Sequence, residues 1–179
     1  MRIGIDISQL AYPSKTGVYN YLSNLLLNLT AIDKENYYIL FFSSLRRSLP
    51  IPFENKVRLN KKVTIKKFKF PPTLLDILWN KLHVLSIDKL IDDIDIFMTS
   101  DWTEPPLRNG KKTTIIYDLT IYKASNEMDK KIINTQKRKF ELVKKESDMI
   151  FCISDSTKKD VMDILEIPEK KIKVIYPGI

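Results

Sequence analysis

The chain of 179 residues contains a single cysteine, Cys152, and a single histidine, His83. One cysteine excludes an internal disulfide, and these two residues cannot supply the roughly four ligands of a Cys/His zinc site. A Ser-His-Asp triad would have to use His83, which lies in the amphipathic stretch LWNKLHVL. We therefore predict that His83 is a helix-face residue and that neither zinc nor triad chemistry operates here.

Glycine is also scarce, with four residues in the whole chain. Neither the G-x-G-x-x-G fingerprint nor the P-loop pattern G-x-x-x-x-G-K-[ST] is present. An autonomous dinucleotide or nucleoside triphosphate site is therefore not predicted. Lys15-Thr16-Gly17 would still allow backbone amides to approach a phosphate at the N-terminus of the following helix.

Long apolar runs are missing, since none approaches the roughly 20 residues that a membrane-spanning helix needs. The N-terminus MRIGIDIS alternates in polarity and does not resemble a signal peptide. Apolar residues make up 44% of the chain and charged residues 29%, which is the balance of a soluble globular protein. We expect one cytoplasmic domain over residues 1–179.

Basic residues outnumber acidic residues by 30 to 22, a net charge of +8. Such an excess favours polyanions, but it also occurs in lysine-rich proteomes without functional meaning. The segment Arg46–Lys69 is basic and interleaved with phenylalanine, and the amphipathic stretch LLDILWNKLHVLSI follows it. These segments could dock on the anionic inner face of a membrane or bind single-stranded nucleic acid. We favour a solvated loop with a core-facing helix, leave peripheral membrane contact open, and predict no nucleic-acid partner.

Strand-like and helix-like periodicities alternate along the chain. The predicted strands are Arg2–Ile7, Tyr37–Phe42, Val63–Phe70, Ile94–Thr99, Thr113–Tyr117, Met149–Ile153 and Ile172–Ile175. The predicted helices are Val18–Leu29, a helix from an N-cap at Thr73 to about Leu90, a charged helix from about Met128 to Ser147, and VMDILEI after the cap candidates Ser154, Asp155 and Ser156. Residues 43–62 are predicted to be irregular. The alternation predicts an α/β fold with a doubly wound, mostly parallel, Rossmann-like sheet and helices on both faces.

Ligands bind such a sheet outside the carboxyl ends of its strands. Polar residues follow three predicted strands at that edge: Ser100-Asp101-Trp102, Tyr117-Asp118 and Ser154. These residues would line a cleft, although ordinary loops have the same composition. Trp102 would either stack on a sugar ring or pack against other side chains of the protein. Asp93-Ile94-Asp95 matches an Asp-x-Asp metal pattern but lies at the start of its strand, so we predict a structural role for it.

Three segments of the chain resemble known patterns in a consistent order. MRIGIDISQL followed by TGVYNYLSNLLLNL has the form of a strand, a Gly-Gly-type loop and a helix. DIDIFMTSDWTEPPLRNGKKTTIIYDLT resembles D-x-x-H-x-x…P…K-x-V-x-T-x-H-D-L, and FCISDSTKKDVMDILEIPEKKIKVIYPGI resembles I-x-x-S-x-x-S-x-x-D-L…G-I-P-x-x-K-I-x-V-x-x-N-G, the most specific of the three. Over essentially its whole length, the chain resembles the retaining group-one glycosyltransferases of the GT-B fold.

The resemblance implies the N-terminal, acceptor-side domain of a two-domain enzyme. The C-terminal domain of that family binds a nucleotide-sugar donor with a spaced pair of glutamates that has no counterpart here. We expect the linker to that domain at the point where this chain stops. A second domain encoded beyond Ile179 would therefore support a two-domain glycosyltransferase, and a stop codon there would favour a non-catalytic binding module. The resemblance implies a glycan or lipid-linked acceptor, with no covalent cofactor and no metal.

The resemblance also assigns roles to residues. The Gly-Gly of the family corresponds to Thr16-Gly17, near the donor phosphates, and its His-Asp corresponds to Tyr117-Asp118, the catalytic pair facing the transferred sugar. A phenol can hydrogen-bond a hydroxyl but is not a cation near neutral pH. Tyrosine in place of the family's histidine would therefore either be tolerated, change the donor that is used, or weaken the enzyme. The acceptor side would be lined by Ser100, Asp101, Trp102 and Ser154.

Two hypotheses follow for the function of the chain. The first is the acceptor-binding half of a transferase that builds a cell-surface polysaccharide or glycolipid and is inactive alone. The second is a non-catalytic doubly wound module that binds a polyanion or a protein partner.

Overall fold

The computed structural model describes residues 1–12, 16–100, 102–123 and 128–178. Seven strands form one sheet: β1 (Arg2–Asp6), β2 (Tyr37–Ser43), β3 (Val63–Phe68), β4 (Ile96–Thr99), β5 (Lys111–Ile116), β6 (Met149–Cys152) and β7 (Ile172–Val174). Every pair of neighbours is parallel, and the order across the sheet is β3-β2-β1-β4-β5-β6-β7. The predicted α/β, Rossmann-like fold is confirmed.

Helices connect the strands. They are α1 (Gly17–Ile32), α2 (Ile51–Val57), α3 (Pro72–Leu75), α4 (Asp88–Ile91), α5 (Thr120–Lys123), α6 (Lys130–Glu146) and α7 (Asp155–Leu165). Short 3-10 turns cover Ser8–Ala11 and Glu169–Lys171, and a π-helical turn covers Asp76–Lys81. Among the residues described, no helix is both long and apolar enough to cross a membrane.

The sheet is buried on both faces, as the uniformly apolar strand β2 predicts. Successive β2 residues enter different cores: Leu40 packs in the core that contains α1 and α2, and Phe41 in the core that contains Trp79. The strand order reverses between β1 and β4, so the crevice where such folds bind ligands opens beside the carboxyl ends of these two strands.

The basic region predicted to be irregular contains helix α2, so that prediction was wrong. Pro50 and Pro52 lie at the start of this helix, where a missing N–H leaves no hydrogen bond unmade. Phe53 and Val57 are four residues apart and buried against α1, and this packing stabilises a helix of only two turns.

The predicted helix from Thr73 to Leu90 was also wrong in extent. It begins at Pro72 rather than after a Thr73 cap, and its π-helical continuation ends at Lys81. The chain then adopts left-handed backbone at His83 (φ 52°) and Leu85 (φ 60°), which ends the helix. The prediction that His83 is a helix-face residue was therefore wrong: it lies after the helix, with Nδ1 2.8 Å from the Trp79 carbonyl oxygen.

The Asp93–Asp95 motif lies just before β4, at the amino edge of the sheet. The Asp95 carboxylate accepts a hydrogen bond from the Arg2 backbone N–H at 2.7 Å. This bond agrees with the structural role predicted for the motif, which stays a prediction.

Replacing Gly110 by alanine is expected to lower the free energy of unfolding by about 2–3 kcal/mol. Gly110 has a φ of 112°, and an added Cβ would lie 2.7 Å from the Asp95 carbonyl oxygen. The matched control is Gly17→Ala, because a Cβ at Gly17 meets no atom within 4 Å. Urea denaturation measures both variants, and equal stabilities would contradict the predicted clash.

Candidate functional site

Three cavities open along the carboxyl edge of the sheet, and Val18 at the start of α1 contributes to the walls of all three. The α1 cavity, of about 620 Å³, lies between α1 and the chain after β7. The Lys139 cavity, of about 190 Å³, lies between α6 and the ends of β4 and β5. The Tyr12 cavity, of about 510 Å³, lies at the ends of β1 and β2.

Tyr117 and Asp118 line both the α1 cavity and the Lys139 cavity. The Tyr117 ring is buried and meets the Tyr21 ring edge-on, with 5.7 Å between ring centroids. Asp118 is exposed, and its Oδ1 accepts a hydrogen bond from the Thr120 backbone N–H at 2.9 Å. This bond fixes the orientation of a carboxylate that stays accessible from the cavities.

Thr16 and Gly17 lie where the α1 and Tyr12 cavities meet. The Thr16 hydroxyl caps α1 by accepting a hydrogen bond from the Tyr19 N–H at 3.3 Å. Thr16 lines the Tyr12 cavity and Gly17 lines the α1 cavity. The N-terminus of a 16-residue helix, with its partial positive charge, is thus directed at this edge of the sheet.

Ser100 and Trp102 line the Lys139 cavity, and Trp102 also lines the Tyr12 cavity. The carbonyl oxygen of Trp102 accepts a hydrogen bond from the Asn80 side-chain amide at 2.8 Å. Asp101, predicted beside them, lies outside the described residues. Ser154 lines none of the three cavities; its Oγ accepts a hydrogen bond from the Thr157 N–H at 3.1 Å and caps α7.

Helix α1 contributes cavity residues that the sequence did not point to. Asn20, Asn24 and Asn28, spaced four residues apart, all line the α1 cavity. The opposite wall is the segment Ile175–Gly178, and the Tyr21 hydroxyl donates a hydrogen bond to the Ile175 carbonyl at 2.9 Å. The one available signal was the regular asparagine spacing directly after Gly17.

Lys139 is a second residue that the sequence did not point to. Its side chain lies on the inner face of α6, and the residue is only 1% exposed. Its Nζ donates a hydrogen bond to the Ser100 carbonyl oxygen at 3.0 Å. It lines the Lys139 cavity together with Gln136. A buried ammonium therefore lies beside the Tyr117–Asp118 pair in the wall of the same cavity.

The Tyr12 cavity combines aromatic rings with polar groups. Tyr12 and Trp102 are both partly exposed and line it. The buried Asp6 carboxylate lies in its wall and accepts a hydrogen bond from the Ser8 N–H at 2.8 Å. The Arg47 guanidinium stands 4.5 Å from the centroid of the Tyr12 ring, which orients that ring at the cavity mouth.

A buried ion network joins the end of β4 to the start of β5. Lys112 Nζ lies 3.1 Å from Glu104 Oε1 and 2.7 Å from Glu146 Oε2, and Glu104 is 0% exposed. The other Glu104 oxygen accepts a hydrogen bond from the Thr99 hydroxyl at 2.7 Å. His83 Nε2 lies 2.8 Å from the second oxygen of Glu146. The network joins the loop after β4 to β5 and α6.

The thiol of Cys152 is not available as a nucleophile near neutral pH. Burial raises the pKa of the Cys152 thiol to about 12, against a smaller opposing effect of Lys158, so the reactive thiolate is scarce at neutral pH. Burial also raises the pKa of the Tyr21 phenol, which stays protonated. Within the described parts of the chain, no three acidic, histidine or cysteine side chains come together as a metal site would require.

Comparisons with known proteins identify the family. The sequence model of the family described as Glycosyltransferase Family 4 matches residues 16–179. No curated protein matches the chain. Among solved structures, a short-chain dehydrogenase from Oenococcus oeni PSU-1 is similar at 11% identity and a TM-score of 0.40, with 99% of this chain and 96% of that chain covered. Because the family match extends over nearly the whole length, the chain belongs to glycosyltransferase family 4.

Proposed function

We propose that this domain is the acceptor-binding half of a retaining glycosyltransferase. The enzyme would move a sugar from a nucleotide-sugar to a glycan or lipid-linked acceptor. The observation that carries the proposal is the position of Asp118, an oriented and accessible carboxylate in the wall shared by two cavities. Ligands of doubly wound sheets bind at this edge.

The charge of the cavities favours the acceptor rather than the donor as the ligand held here. Among the described residues that line the three cavities, Lys139 is the one cation. The diphosphate of a nucleotide-sugar is recognised best by several cationic groups and backbone amides. The α1 N-terminus at Thr16–Gly17 would contact one phosphate. The rest of the donor site therefore has to come from a second domain.

The Tyr12 cavity has the chemistry of an acceptor site. Aromatic faces such as those of Tyr12 and Trp102 pack against the apolar faces of sugar rings. The Asp6 carboxylate and the Ser8 hydroxyl offer acceptors and donors for sugar hydroxyls. Trp102 also lines the Lys139 cavity, so an acceptor in the Tyr12 cavity would reach towards Asp118.

Asp118 would act by electrostatics in the transfer step. As the bond to the departing nucleoside diphosphate breaks, the transferred sugar acquires positive, oxocarbenium-like charge. A carboxylate already oriented by the Thr120 N–H stabilises that charge without reorganising. Tyr117 would hydrogen-bond a hydroxyl of the transferred sugar, in the position where the family has histidine.

Incubating the 179-residue chain with nucleotide-sugars and candidate acceptors is expected to produce no turnover above background. The physical reason is that the described cavity walls contain one cation, Lys139, where the leaving diphosphate would need several. Chromatographic detection of released nucleoside diphosphate measures the rate. Sustained turnover by this chain alone would overturn the proposal that it is half of an active site.

A further inference from the structure

The net positive charge of the chain is located in one segment. Residues Arg46–Lys69 include nine basic residues and one acid, Glu54, which is a net charge of +8. The whole chain also carries +8, so the remainder is balanced, with 21 basic and 21 acidic residues. The positive field of the molecule therefore originates from this segment.

The segment forms one lateral boundary of the molecule. It comprises the loop after β2, helix α2 and strand β3, and β3 is the terminal strand of the sheet. We call this surface the basic edge (Arg46–Lys69). The opposite boundary is formed by β7, at the other end of the seven-stranded sheet.

Internal ion pairs neutralise only part of the basic edge. Arg58 and Lys67 share the single acid Glu54, at 2.9 and 2.7 Å, and Lys66 pairs with Asp92 at 2.6 Å. The Lys62 ammonium donates hydrogen bonds to main-chain carbonyls. Within the described part of the chain, five further cations have no acidic partner: Arg46, Arg47, Lys56, Lys61 and Lys69.

Aliphatic side chains are exposed within the same segment as these cations. Ile51 is 71% exposed at the start of α2, Leu59 is 84% exposed just after its end, and Leu45 is 51% exposed in the loop before it. The aromatic residues of the segment point inward instead: Phe53 is buried, and Phe68 stacks on Phe41 with 5.1 Å between ring centroids. Exposed aliphatic groups next to cations fit a lipid interface, whereas single-stranded nucleic acid is bound by exposed aromatic rings.

We propose that the basic edge docks on an anionic lipid membrane. Its cations meet lipid phosphates, while Ile51 and Leu59 enter the boundary between head groups and acyl chains. The basic edge adjoins the Tyr12 cavity, because Arg47 packs on Tyr12 and both Tyr12 and Ser44 line that cavity. Docking therefore brings the cavity mouth to the membrane, where a lipid-linked acceptor would be presented; this last step alone rests on the proposed function.

Co-sedimentation of the chain with lipid vesicles tests the proposal. We expect binding to vesicles with about one-third phosphatidylglycerol, weakening as salt is added, and far less binding to pure phosphatidylcholine. The double variant Arg46→Glu/Arg47→Glu should bind at least about 25-fold more weakly, since each basic residue near an anionic surface contributes about fivefold. The matched control is Lys170→Glu/Lys173→Glu, which makes the same charge change at two exposed residues of the β7 boundary and should retain most of the binding.

A second variant tests the aliphatic contribution without changing the charge. Ile51→Ser/Leu59→Ser should lower binding to the anionic vesicles by about tenfold, because two exposed apolar side chains no longer enter the lipid. Circular dichroism checks that both variants are folded. Absent binding to anionic vesicles at low salt, equal losses in the two charge variants, or tighter binding to a single-stranded oligonucleotide would each overturn the proposal. None of these results depends on sugar transfer, so the proposed function is tested separately.

Discussion

Replacing Lys112 by methionine is expected to lower the free energy of unfolding by about 3–5 kcal/mol. The substitution keeps the length of the side chain but removes an ammonium that is 3.1 Å from Glu104 and 2.7 Å from Glu146. Glu104 is 0% exposed, so its charge would be left in the protein interior without a cation. A loss of this size is a large part of the roughly 5–15 kcal/mol that stabilises an ordinary domain.

The neighbouring lysine is the matched control for this prediction. Lys111 also pairs with an acid, Asp148 at 2.8 Å, but its side chain is 69% exposed. Lys111→Met should therefore change stability by less than about 1 kcal/mol. Urea denaturation compares the two variants, and a Lys112→Met protein as stable as Lys111→Met would show that the buried pair does not stabilise the fold.

A double variant separates the loss of packing from the unpaired charge. Adding Glu104→Gln to Lys112→Met removes the orphaned charge while keeping an oxygen for the Thr99 hydroxyl. The double variant should therefore be more stable than Lys112→Met alone. If the two are equally unstable, the loss comes from packing around Lys112 and not from the charge of Glu104.

The sheet was predictable because buried strands have a local signature. Each of the seven predicted strands overlaps an observed one, since short apolar runs between polar segments leave few alternatives. Helix α2 has no such signature: seven residues with two prolines near the start are stabilised by the packing of Phe53 and Val57. The left-handed backbone at His83 could not be predicted either, because residues other than glycine adopt this conformation only when tertiary contacts stabilise it.

The candidate site was predictable to the extent that it consists of strand ends. Tyr117–Asp118 and Trp102 meet because the carboxyl ends of parallel strands share one edge. The buried charges were not predictable. A lysine in a charged helix is normally solvated, and only the tertiary structure shows that Lys139 is buried with the Ser100 carbonyl oxygen as its hydrogen-bond acceptor. The role of Ser154 as a helix cap was among the predicted alternatives and is the one its hydrogen bond supports.

Replacing Asp118 by asparagine is expected to lower the transfer rate about 100-fold in the enzyme formed when this domain is joined to a donor-binding domain. Asparagine retains an oxygen for the Thr120 N–H, so the local structure should persist. It removes the negative charge that we propose stabilises the developing positive charge on the transferred sugar. The loss should therefore appear in kcat more than in KM, since the charge acts in the transition state.

The control substitution for Asp118 is on the surface of α7. Asp163 is exposed, and Asp163→Asn makes the same chemical change away from the three cavities. Tyr117→Phe adds a graded comparison, because losing one neutral hydrogen bond should lower the rate by about tenfold or less. An Asp163→Asn effect as large as that of Asp118→Asn would point to a general loss of charge or stability.

The most direct measurement is the transfer of labelled sugar from a nucleotide-sugar to a lipid-linked acceptor by this domain joined to a donor-binding domain. We predict robust transfer by the wild type and by Asp163→Asn, with about a 100-fold lower kcat for Asp118→Asn. Unchanged transfer by Asp118→Asn would contradict the assignment of the site to the edge where Tyr117 and Asp118 lie.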